Sequence, residues 1–382
     1  MRITILSGSV PTTTFIDGLI NAMAEEGFAI TVIGKKTGDY NYHKKVEVIT
    51  VPDGIAERLL FIINLLVITG FKHIGKIISN SKGWKGMFND FLFYLPIIHS
   101  KPDRIHLQWT AFIHDRDLLF ELFPGKVLVS LRGAHINYTP LTTFEIRDSY
   151  LRLFSKVHRF HAVSEAIVTE AEQYGVKKSN TDVIYSFVND ALLEKRIESK
   201  PEKAELHIIS VGRFFWKKGY EYALDALRLL KQIGVPFTYT LIAEGKTPAS
   251  VIYHIHQCGL TNNVRIVNGT SHTEVLKAIE RHDVLLLPSV EEGIANVVLE
   301  AMAVGTPVIT TDVGGMKEVI THGHTGYIAK ARDVQGIADS LIAFSNLDKN
   351  QRFAIAINAK EAIQKKHDKK MFTTLFAQFY KH

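Results

Sequence analysis

Short apolar runs separated by helix-sized gaps recur along the whole sequence. In the first half they are residues 3–6, 29–34, 46–51, 103–107, 127–130, 158–163 and 183–184; in the second half, residues 207–211, 238–242, 264–267, 284–287 and 308–310. Helical patterns, such as residues 15–26 and 220–233, fall between them. Adjacent parallel strands need long crossover connections, so this spacing predicts βαβ units and parallel sheets.

The length requires more than one hydrophobic core. A chain of 382 residues is expected to form two domains. Residues 193–203 are polar and lack a buried pattern, so we place the boundary there, after a first domain of residues 1–192. The predicted fold class is α/β, with two Rossmann-like parallel-sheet domains facing a central cleft and ligands at the carboxyl ends of the strands.

Composition excludes several classes of protein. Hydrophobic residues make up 46% and charged residues 22%, a balance typical of globular chains, and the net charge of +6 is compatible with anionic substrates or an anionic membrane surface. No nucleic-acid-binding signature accompanies that charge. The single cysteine, Cys258, excludes an intrachain disulfide and a cysteine-cluster metal site. Together with a start that reads directly as a strand, without a signal peptide, it predicts a cytoplasmic protein.

The segment after the strand at residues 284–287 says most about function. Pro288 ends that strand, a short polar loop follows, and Asn296 is placed as the N-cap of a helix over residues 297–304. Such a turn presents free N–H groups and the positive end of a helix dipole, which suits a phosphate or diphosphate. Glu292 precedes those groups and Glu300 follows them. Eight residues of helix mean about 12 Å of rise and about 80° of rotation, so the two carboxylates do not form a simple same-face pair. They suit a ligand with hydroxyls on both sides of a diphosphate, such as a nucleotide-sugar.

Two further turns of the second half adjoin predicted strands. Gly212, Arg213 and Lys218 close the strand at residues 207–211, and two cations there would neutralise a diphosphate. Taken alone, these residues favour a solvated basic turn; together with the Glu292–Glu300 segment in the same domain, they favour the diphosphate. Residues 312–315, with paired glycines, predict an ordinary strand-to-helix turn.

The first half offers fewer candidates. Gly8 is expected in a loop at residues 7–14, between the first strand and the first helix, but one glycine is not a dinucleotide-binding fingerprint. Arg132 and His135 follow the strand at residues 127–130 and are expected to offer a cation and an imidazole to the cleft. Because the chain has 17 histidines, a structural role for His135 is the alternative.

These motifs resemble those of the retaining family 4 glycosyltransferases, which have the GT-B fold, over nearly the whole chain. The strongest likeness is to the family's Glu-x7-Glu donor motif and runs from Glu292 to Gly326. Gly212-Arg213 with Lys218-Gly219 is similar to the donor-phosphate motif, and residues 161–165 to an element before the hinge. Residues 10–16, 105–109 and 219–223 resemble members that act in colanic acid and other bacterial exopolysaccharide assembly.

The resemblance implies roles for individual residues. Arg213 and Lys218 would hold the donor diphosphate, Glu292 would contact hydroxyls of the transferred sugar, and Glu300 would contact the ribose. The catalytic candidates are Glu292, Arg213, Lys218 and His135, and the donor-binding candidates are Gly8, Arg132, Gly212, Gly293, Ile294, Ala295, Asn296 and Glu300. No metal or other cofactor is expected, because the leaving phosphate assists deprotonation of the acceptor. The resemblance also implies a second domain of residues 193–364 and a C-terminal helix within residues 365–382 that crosses back to the first domain.

The expected function is transfer of a sugar, with retention, from a nucleoside-diphosphate sugar to a hydroxyl of a glycan or lipid-linked glycan in bacterial surface polysaccharide biosynthesis. Two alternatives are a nucleotide-sugar epimerase on the same fold and a noncatalytic partner subunit. The presence of Glu292, Glu300, Arg213 and Lys218 argues against the second alternative.

A peripheral contact with the inner face of the cytoplasmic membrane is a further hypothesis. Residues 59–71 are mostly apolar but too short to span a bilayer, and Lys72, Lys76, Lys82 and Lys85 follow them. A basic amphipathic surface of this kind can touch anionic lipid. The alternative is a helix packed within the first domain, with its lysines solvated.

Overall fold

The computed structural model describes residues 1–201 and 203–382. Glu202, which belongs to the polar stretch predicted as the hinge, lies outside the described residues. The chain divides into two compact units. The first comprises Met1–Val163, Ile167–Ile184 and Phe372–His382, and the second comprises Ser164–Ala166 and Tyr185–Met371.

The first unit is built on a seven-stranded sheet. Its strands are β1 (Arg2–Val10), β2 (Ala29–Lys36), β3 (Val46–Thr50), β4 (Arg104–Leu107), β5 (Val127–Leu131), β6 (Arg159–Ala162) and β7 (Thr181–Val183). They lie in the order β3-β2-β1-β4-β5-β6-β7, and every pair of neighbours is parallel. This order places the start of the chain in the middle of the sheet, as in a Rossmann-like fold.

The helices of the first unit connect these strands. They are α1 (Thr14–Glu25), α2 (Ile55–Thr69), α3 (Ile74–Asn80), α4 (Gly83–Ser100), α5 (Asp117–Leu122), α6 (Gly133–Asn137), α7 (Thr139–Thr142), α8 (Phe144–Leu153) and α9 (Glu165–Ala171), whose first two residues belong to the second unit. Helix α2 buries Ile62 and Leu65 but leaves a row of large apolar side chains exposed. Within the described ranges, no helix is both long and apolar enough to cross a membrane.

The second unit repeats the architecture on a six-stranded sheet. Its strands are β8 (Leu206–Val211), β9 (Phe237–Ala243), β10 (Val264–Asn268), β11 (Val284–Leu287), β12 (Val308–Thr311) and β13 (Tyr327–Ala329), in the order β10-β9-β8-β11-β12-β13, again all parallel. Its helices are α10 (Asp190–Glu194), α11 (Tyr220–Gln232), α12 (Ala249–Gln257), α13 (His272–Arg281), α14 (Asn296–Ala303), α15 (Met316–Val319), α16 (Val334–Ser345) and α17 (Lys349–Lys366).

The continuous apolar runs of the sequence become strands covered on both faces. Every residue of β5 and β11 is buried. Parallel sheets flanked by helices bury both strand faces, which explains why these segments do not alternate apolar with polar residues. Helix α11 is amphipathic instead, and its buried positions, such as Ala223, Leu227 and Leu230, recur at helical spacing on one face.

The second unit begins earlier along the chain than the polar stretch at residues 193–203. Val188 and Leu193 pack in the core of the second unit, and the Val188 N–H donates to the carbonyl oxygen of His367 at 2.9 Å. These contacts assign residues 185–192 to the second unit, where the sequence placed them in the first.

The last helix, α18 (Lys369–Lys381), starts in the second unit and ends in the first. Phe376, Phe379 and Tyr380 are buried there. The Tyr380 hydroxyl lies 2.7 Å from His106 Nδ1. The end of the chain is therefore an integral part of the first core.

Candidate functional site

A basic turn, residues 212–219, leaves the carboxyl end of β8 and leads into α11. Two glycines shape it. Gly219 has a φ of +63°, and a Cβ there would lie 2.1 Å from the carbonyl oxygen of Pro288, so no other residue fits. A Cβ on Gly212 would lie 2.9 Å from the hydroxyl of Tyr220. The backbone of the turn is thus in close contact with Pro288, the residue that follows β11.

An acidic loop, residues 288–295, lies beside the basic turn. The Val290 N–H donates to the carbonyl oxygen of Lys217 at 2.7 Å, and the Thr311 hydroxyl donates to the carbonyl oxygen of Ser289 at 2.5 Å. One backbone bond to the basic turn and one side-chain bond from the end of β12 therefore fix a loop that has no regular structure of its own.

Two lysine–glutamate pairs join the turn to the loop. Lys218 Nζ lies 2.5 Å from Glu292 Oε1, and Lys217 Nζ lies 3.0 Å from Glu291 Oε2. Glu292 Oε1 also accepts a hydrogen bond from the Ser289 hydroxyl at 3.0 Å. The side chains of Lys218 and Glu292 are 15% and 10% exposed, so this pair is largely removed from water. Two predicted site residues, Lys218 and Glu292, thus meet directly.

Arg213 is placed differently from Lys218. Its side chain is exposed and, among the described residues, it has no hydrogen-bond or ion-pair partner. Because Lys217 and Lys218 are already matched by carboxylates, Arg213 supplies the uncompensated positive charge of the basic turn. An anion is the ligand that such a charge favours.

Helix α14 follows the acidic loop, and the predicted cap is wrong by one residue. Ala295 is the N-cap with extended φ and ψ, Asn296 is already helical, and the Val298 N–H bonds to the Ala295 carbonyl. The N–H groups of the first turn still point toward the acidic loop and carry the positive end of the helix dipole. Gly293 and Ile294 precede this helix end, and their roles in donor binding stay predictions.

Glu300 lies behind that helix end, in the middle of α14. Its Oε1 lies 2.9 Å from Nε2 of His272, the first residue of α13. Burial raises the pKa of Glu300 above its usual value, and His272 acts in the opposite direction. Glu300 and Glu292 have separate partners, His272 and Lys218, and do not form a pair.

The glycine turn, residues 312–315, packs its backbone closely against the acidic loop, whereas the sequence predicted an ordinary strand-to-helix turn. Gly314 has a φ of +51°, and a Cβ there would lie 2.1 Å from the carbonyl oxygen of Glu292. The Gly315 N–H donates to the carbonyl oxygen of Gly293 at 2.7 Å. The paired glycines allow the backbone to support the acidic loop at close range.

The candidates of the first unit lie at the carboxyl ends of β1 and β5. Gly8, with a φ of +85°, is in β1 at a register shift rather than in a loop, because the strand continues to Val10. His135 is in α6, with its ring 5.4 Å from that of Trp109. Roles for Gly8 and His135 in donor binding or catalysis stay predictions.

Arg132 is buried, whereas the sequence predicted a cation that is exposed to the cleft. Only 8% of the residue is exposed. Its Nη2 donates to Oε1 of Gln108 at 2.8 Å, and its guanidinium lies 4.4 Å from the ring centroid of Phe15. Burial lowers the pKa of Arg132 to about 9. A donor contact from Arg132 also stays a prediction.

Sequence reasoning missed several members of these clusters. The Lys217-Lys218 and Glu291-Glu292 doublets are a signal that could have predicted paired contacts between the two segments. Nothing in the sequence marks His272 as the partner of Glu300. The buried hydroxyl of Tyr220, which has no hydrogen-bond partner among the described residues, was also missed.

Comparison with known proteins identifies the second unit. Residues 193–362 match the family model described as "Glycosyl transferases group 1". Residues 193–362 of the second unit form a glycosyl transferases group 1 domain.

Relatives and solved structures extend the likeness beyond this domain. The chain is 35% identical, over 260 residues, to the putative colanic acid biosynthesis glycosyltransferase WcaL of Escherichia coli (strain K12), covering 64% of this chain and 61% of WcaL. Sucrose-phosphate synthase from Thermosynechococcus elongatus superimposes with a TM-score of 0.76 at 17% identity, covering 100% of this chain and 98% of that one. HepE from Anabaena in complex with UDP-glucose gives a TM-score of 0.68 at 17% identity, covering 99% and 98%.

These likenesses establish the fold as GT-B, two Rossmann-like parallel-sheet units. The chain spans about 60% of the length of the curated relatives it matches. The comparisons give the epimerase alternative no support.

Proposed function

We propose that this protein is a retaining glycosyltransferase of family 4 that transfers a sugar from a nucleoside-diphosphate sugar to a hydroxyl of a glycan or lipid-linked glycan in bacterial surface polysaccharide biosynthesis. The observation that carries the proposal is the contact between the basic turn and the acidic loop at the start of α14. The group 1 domain match, the name of WcaL and the UDP-glucose complex of HepE support it.

Each part of the group 1 domain has a role in donor binding. The exposed guanidinium of Arg213 and the N–H groups at the start of α14 bind the diphosphate, which needs positive charge and hydrogen-bond donors. Lys218 contributes a further donor once the diphosphate competes with Glu292 for its ammonium group. Glu292 then accepts hydrogen bonds from sugar hydroxyls, and Glu300 accepts them from the ribose.

The reaction needs positioning and charge stabilisation rather than a cofactor. The acceptor oxygen attacks the anomeric carbon from the face of the departing phosphate, the bond between that carbon and the phosphate oxygen breaks, and the acceptor proton passes to the leaving phosphate. Arg213 and Lys218 stabilise the negative charge that grows on the nucleoside diphosphate. In this mechanism, Glu292 positions the sugar and is not a general base.

A panel of nucleoside-diphosphate sugars in a thermal-shift assay tests the donor assignment. A ligand that binds the folded state raises the melting temperature by mass action, so the largest shift names base and sugar together. We expect one donor to stand out and its nucleoside diphosphate to compete with it. Incubation of that donor alone, followed by NMR, should show no isomerised sugar; isomerisation would favour an epimerase.

An exposed apolar face on α2 supports a membrane-associated acceptor. Its large side chains are 48–75% exposed: Ile55, Leu59, Leu60, Ile63, Val67 and Ile68, with Phe71 just beyond the helix. Exposed Trp84 and the exposed lysines 72, 76, 82 and 85 lie in the segments that follow. We propose that this face contacts anionic lipid at the inner surface of the cytoplasmic membrane, because it combines an apolar strip with adjacent positive charge. The alternative of a helix packed wholly inside the first unit does not explain these exposed side chains.

Vesicle cosedimentation tests this contact. Each lysine near an anionic surface contributes about 1 kcal/mol, so reversing Lys72 and Lys76 to Glu should weaken binding to vesicles rich in anionic lipid by at least about tenfold. Reversing Lys177 and Lys178, which precede the edge strand β7, is the matched control and should have little effect. Equal binding of both double variants would contradict the assignment.

A further inference from the structure

Three metal-ligating side chains meet on the outer helices of the second unit, away from the basic turn and the acidic loop. Asp225 is on α11, His254 is on α12, and Cys258 is the C-cap residue of α12. One ligand atom from each lies within 4.8 Å of the other two. Asp225 Oδ1 is 2.9 Å from His254 Nε2 and 3.7 Å from Cys258 Sγ.

The helix itself aligns two of the three ligands. His254 and Cys258 are four residues apart, and the Cys258 N–H donates to the His254 carbonyl at 2.9 Å, so both side chains project from one face. Asp225 reaches the same point from α11. The side chains of His254 and Asp225 are 27% and 35% exposed, while Cys258 is buried, which leaves the ligand atoms sheltered but accessible to an ion.

The distances fit a tetrahedral zinc ion. With ordinary zinc–ligand bond lengths, a tetrahedron places nitrogen and oxygen ligands about 3.3 Å apart and sulfur and oxygen ligands about 3.5 Å apart. The two separations from Asp225 Oδ1 differ from these by a few tenths of an ångström, and the His254 and Cys258 ligand atoms lie within 4.8 Å of each other. Thiolate, imidazole and carboxylate are all zinc ligands, and three protein ligands leave a fourth position for water. We propose that Asp225, His254 and Cys258 bind one Zn²⁺ ion.

Arg228 is a charged group that acts on this cluster. Burial and Asp225 raise the pKa of the Cys258 thiol, and Arg228 acts in the opposite direction. A nearby cation favours the thiolate but repels a divalent ion, so removal of the Arg228 charge should tighten metal binding. Zinc binding releases the thiol proton of Cys258 to solvent, which makes the affinity rise with pH.

The site would act on stability rather than on sugar transfer. A zinc ion held by one ligand from α11 and two from α12 links the two helices, and an ion that binds the folded chain stabilises it. The proposal therefore does not depend on the glycosyltransferase assignment, and its test does not use activity.

Cobalt titration of the chelator-stripped protein tests the site. One equivalent of Co²⁺ should produce the near-ultraviolet charge-transfer band of a cobalt thiolate, and Zn²⁺ should abolish it. Cys258→Ser should lack the band, and His254→Ala and Asp225→Asn should each weaken binding at least about tenfold. His256→Ala, on another face of α12, is the matched control and should bind normally.

Two results would overturn the proposal. One is the absence of a thiolate band in the wild-type protein. The other is a band of equal affinity in His254→Ala and Asp225→Asn, which would indicate adventitious binding to a thiol. Because these two variants keep Cys258, they decide the question even if Cys258→Ser fails to fold.

Discussion

The ion pair between Lys218 and Glu292 should make a large, measurable contribution to the stability of the group 1 domain. Both side chains are at most 15% exposed, and their charged atoms lie 2.5 Å apart. Removing one partner of a buried pair leaves the other charge uncompensated and costs about 3–5 kcal/mol. The Ser289 hydroxyl still donates to Glu292 after Lys218→Gln, so we expect the lower end of that range, about 3 kcal/mol.

A double-mutant cycle separates the pair from its surroundings. Lys218→Gln, Glu292→Gln and the double variant are unfolded in urea, followed by both circular dichroism and tryptophan fluorescence. Because both side chains are largely shielded from water, we expect their charge-assisted hydrogen bond to give a coupling energy of about 1.5–3 kcal/mol. The exposed pair of Lys277 with Glu274, at 53% and 55% exposure, is the control and should show a coupling of about 0.5 kcal/mol or less. A coupling at Lys218 and Glu292 no larger than in this control would refute the reasoning.

Three further variants test separate features of the structure. Gly314→Ala forces a Cβ toward the Glu292 carbonyl oxygen and should cost more stability than Gly323→Ala, which has positive φ but open space; equal melting temperatures would contradict this. Burial raises the pKa of Glu300, so the folded state binds protons more strongly than the unfolded state and the contribution of this group to stability falls as pH rises above about 4.5. The free energy of unfolding of Glu300→Gln, measured relative to that of the wild-type protein, should therefore rise between pH 4 and pH 7. A difference between the two proteins that does not change with pH would contradict this. Tyr380→Phe removes a hydroxyl that hydrogen-bonds a buried histidine and should cost about 1–2 kcal/mol in urea unfolding; an unchanged midpoint would show that the bond contributes nothing.

Much of the fold follows from the apolar runs, because a covered parallel strand has a strong pattern of its own. Strand β11 matches the predicted residues 284–287, and most other strands differ by a few residues at their ends. Strand β13, which has three residues, was not predicted. The helix cap at Asn296 was misplaced by one residue because the acidic loop keeps an extended backbone through Ala295, which propensity alone does not show.

The candidate residues of the site were easier to predict than their contacts. The loops after parallel strands, and the helix that follows one of them, suggested Arg213, Lys218, Glu292 and Glu300, whose roles in donor binding and catalysis stay predictions. The contact between Lys218 and Glu292 depends on how two loops approach each other in the folded chain. The only sign of it in the sequence is the pair of charge doublets, Lys217-Lys218 and Glu291-Glu292. The burial of Arg132 depends on packing against other side chains, which no local motif encodes.

Calorimetric titration of donor binding tests most directly whether the basic turn holds a diphosphate. The wild-type protein, Arg213→Ala and Arg265→Ala are each titrated with the nucleoside-diphosphate sugar selected by thermal shift; Arg265 is an exposed arginine on β10. Loss of a charge-assisted contact of about 1.5–3 kcal/mol predicts roughly 10- to 150-fold weaker binding for Arg213→Ala and unchanged binding for Arg265→Ala. Arg213→Ala binding as tightly as wild type would contradict the assignment of the diphosphate to this turn.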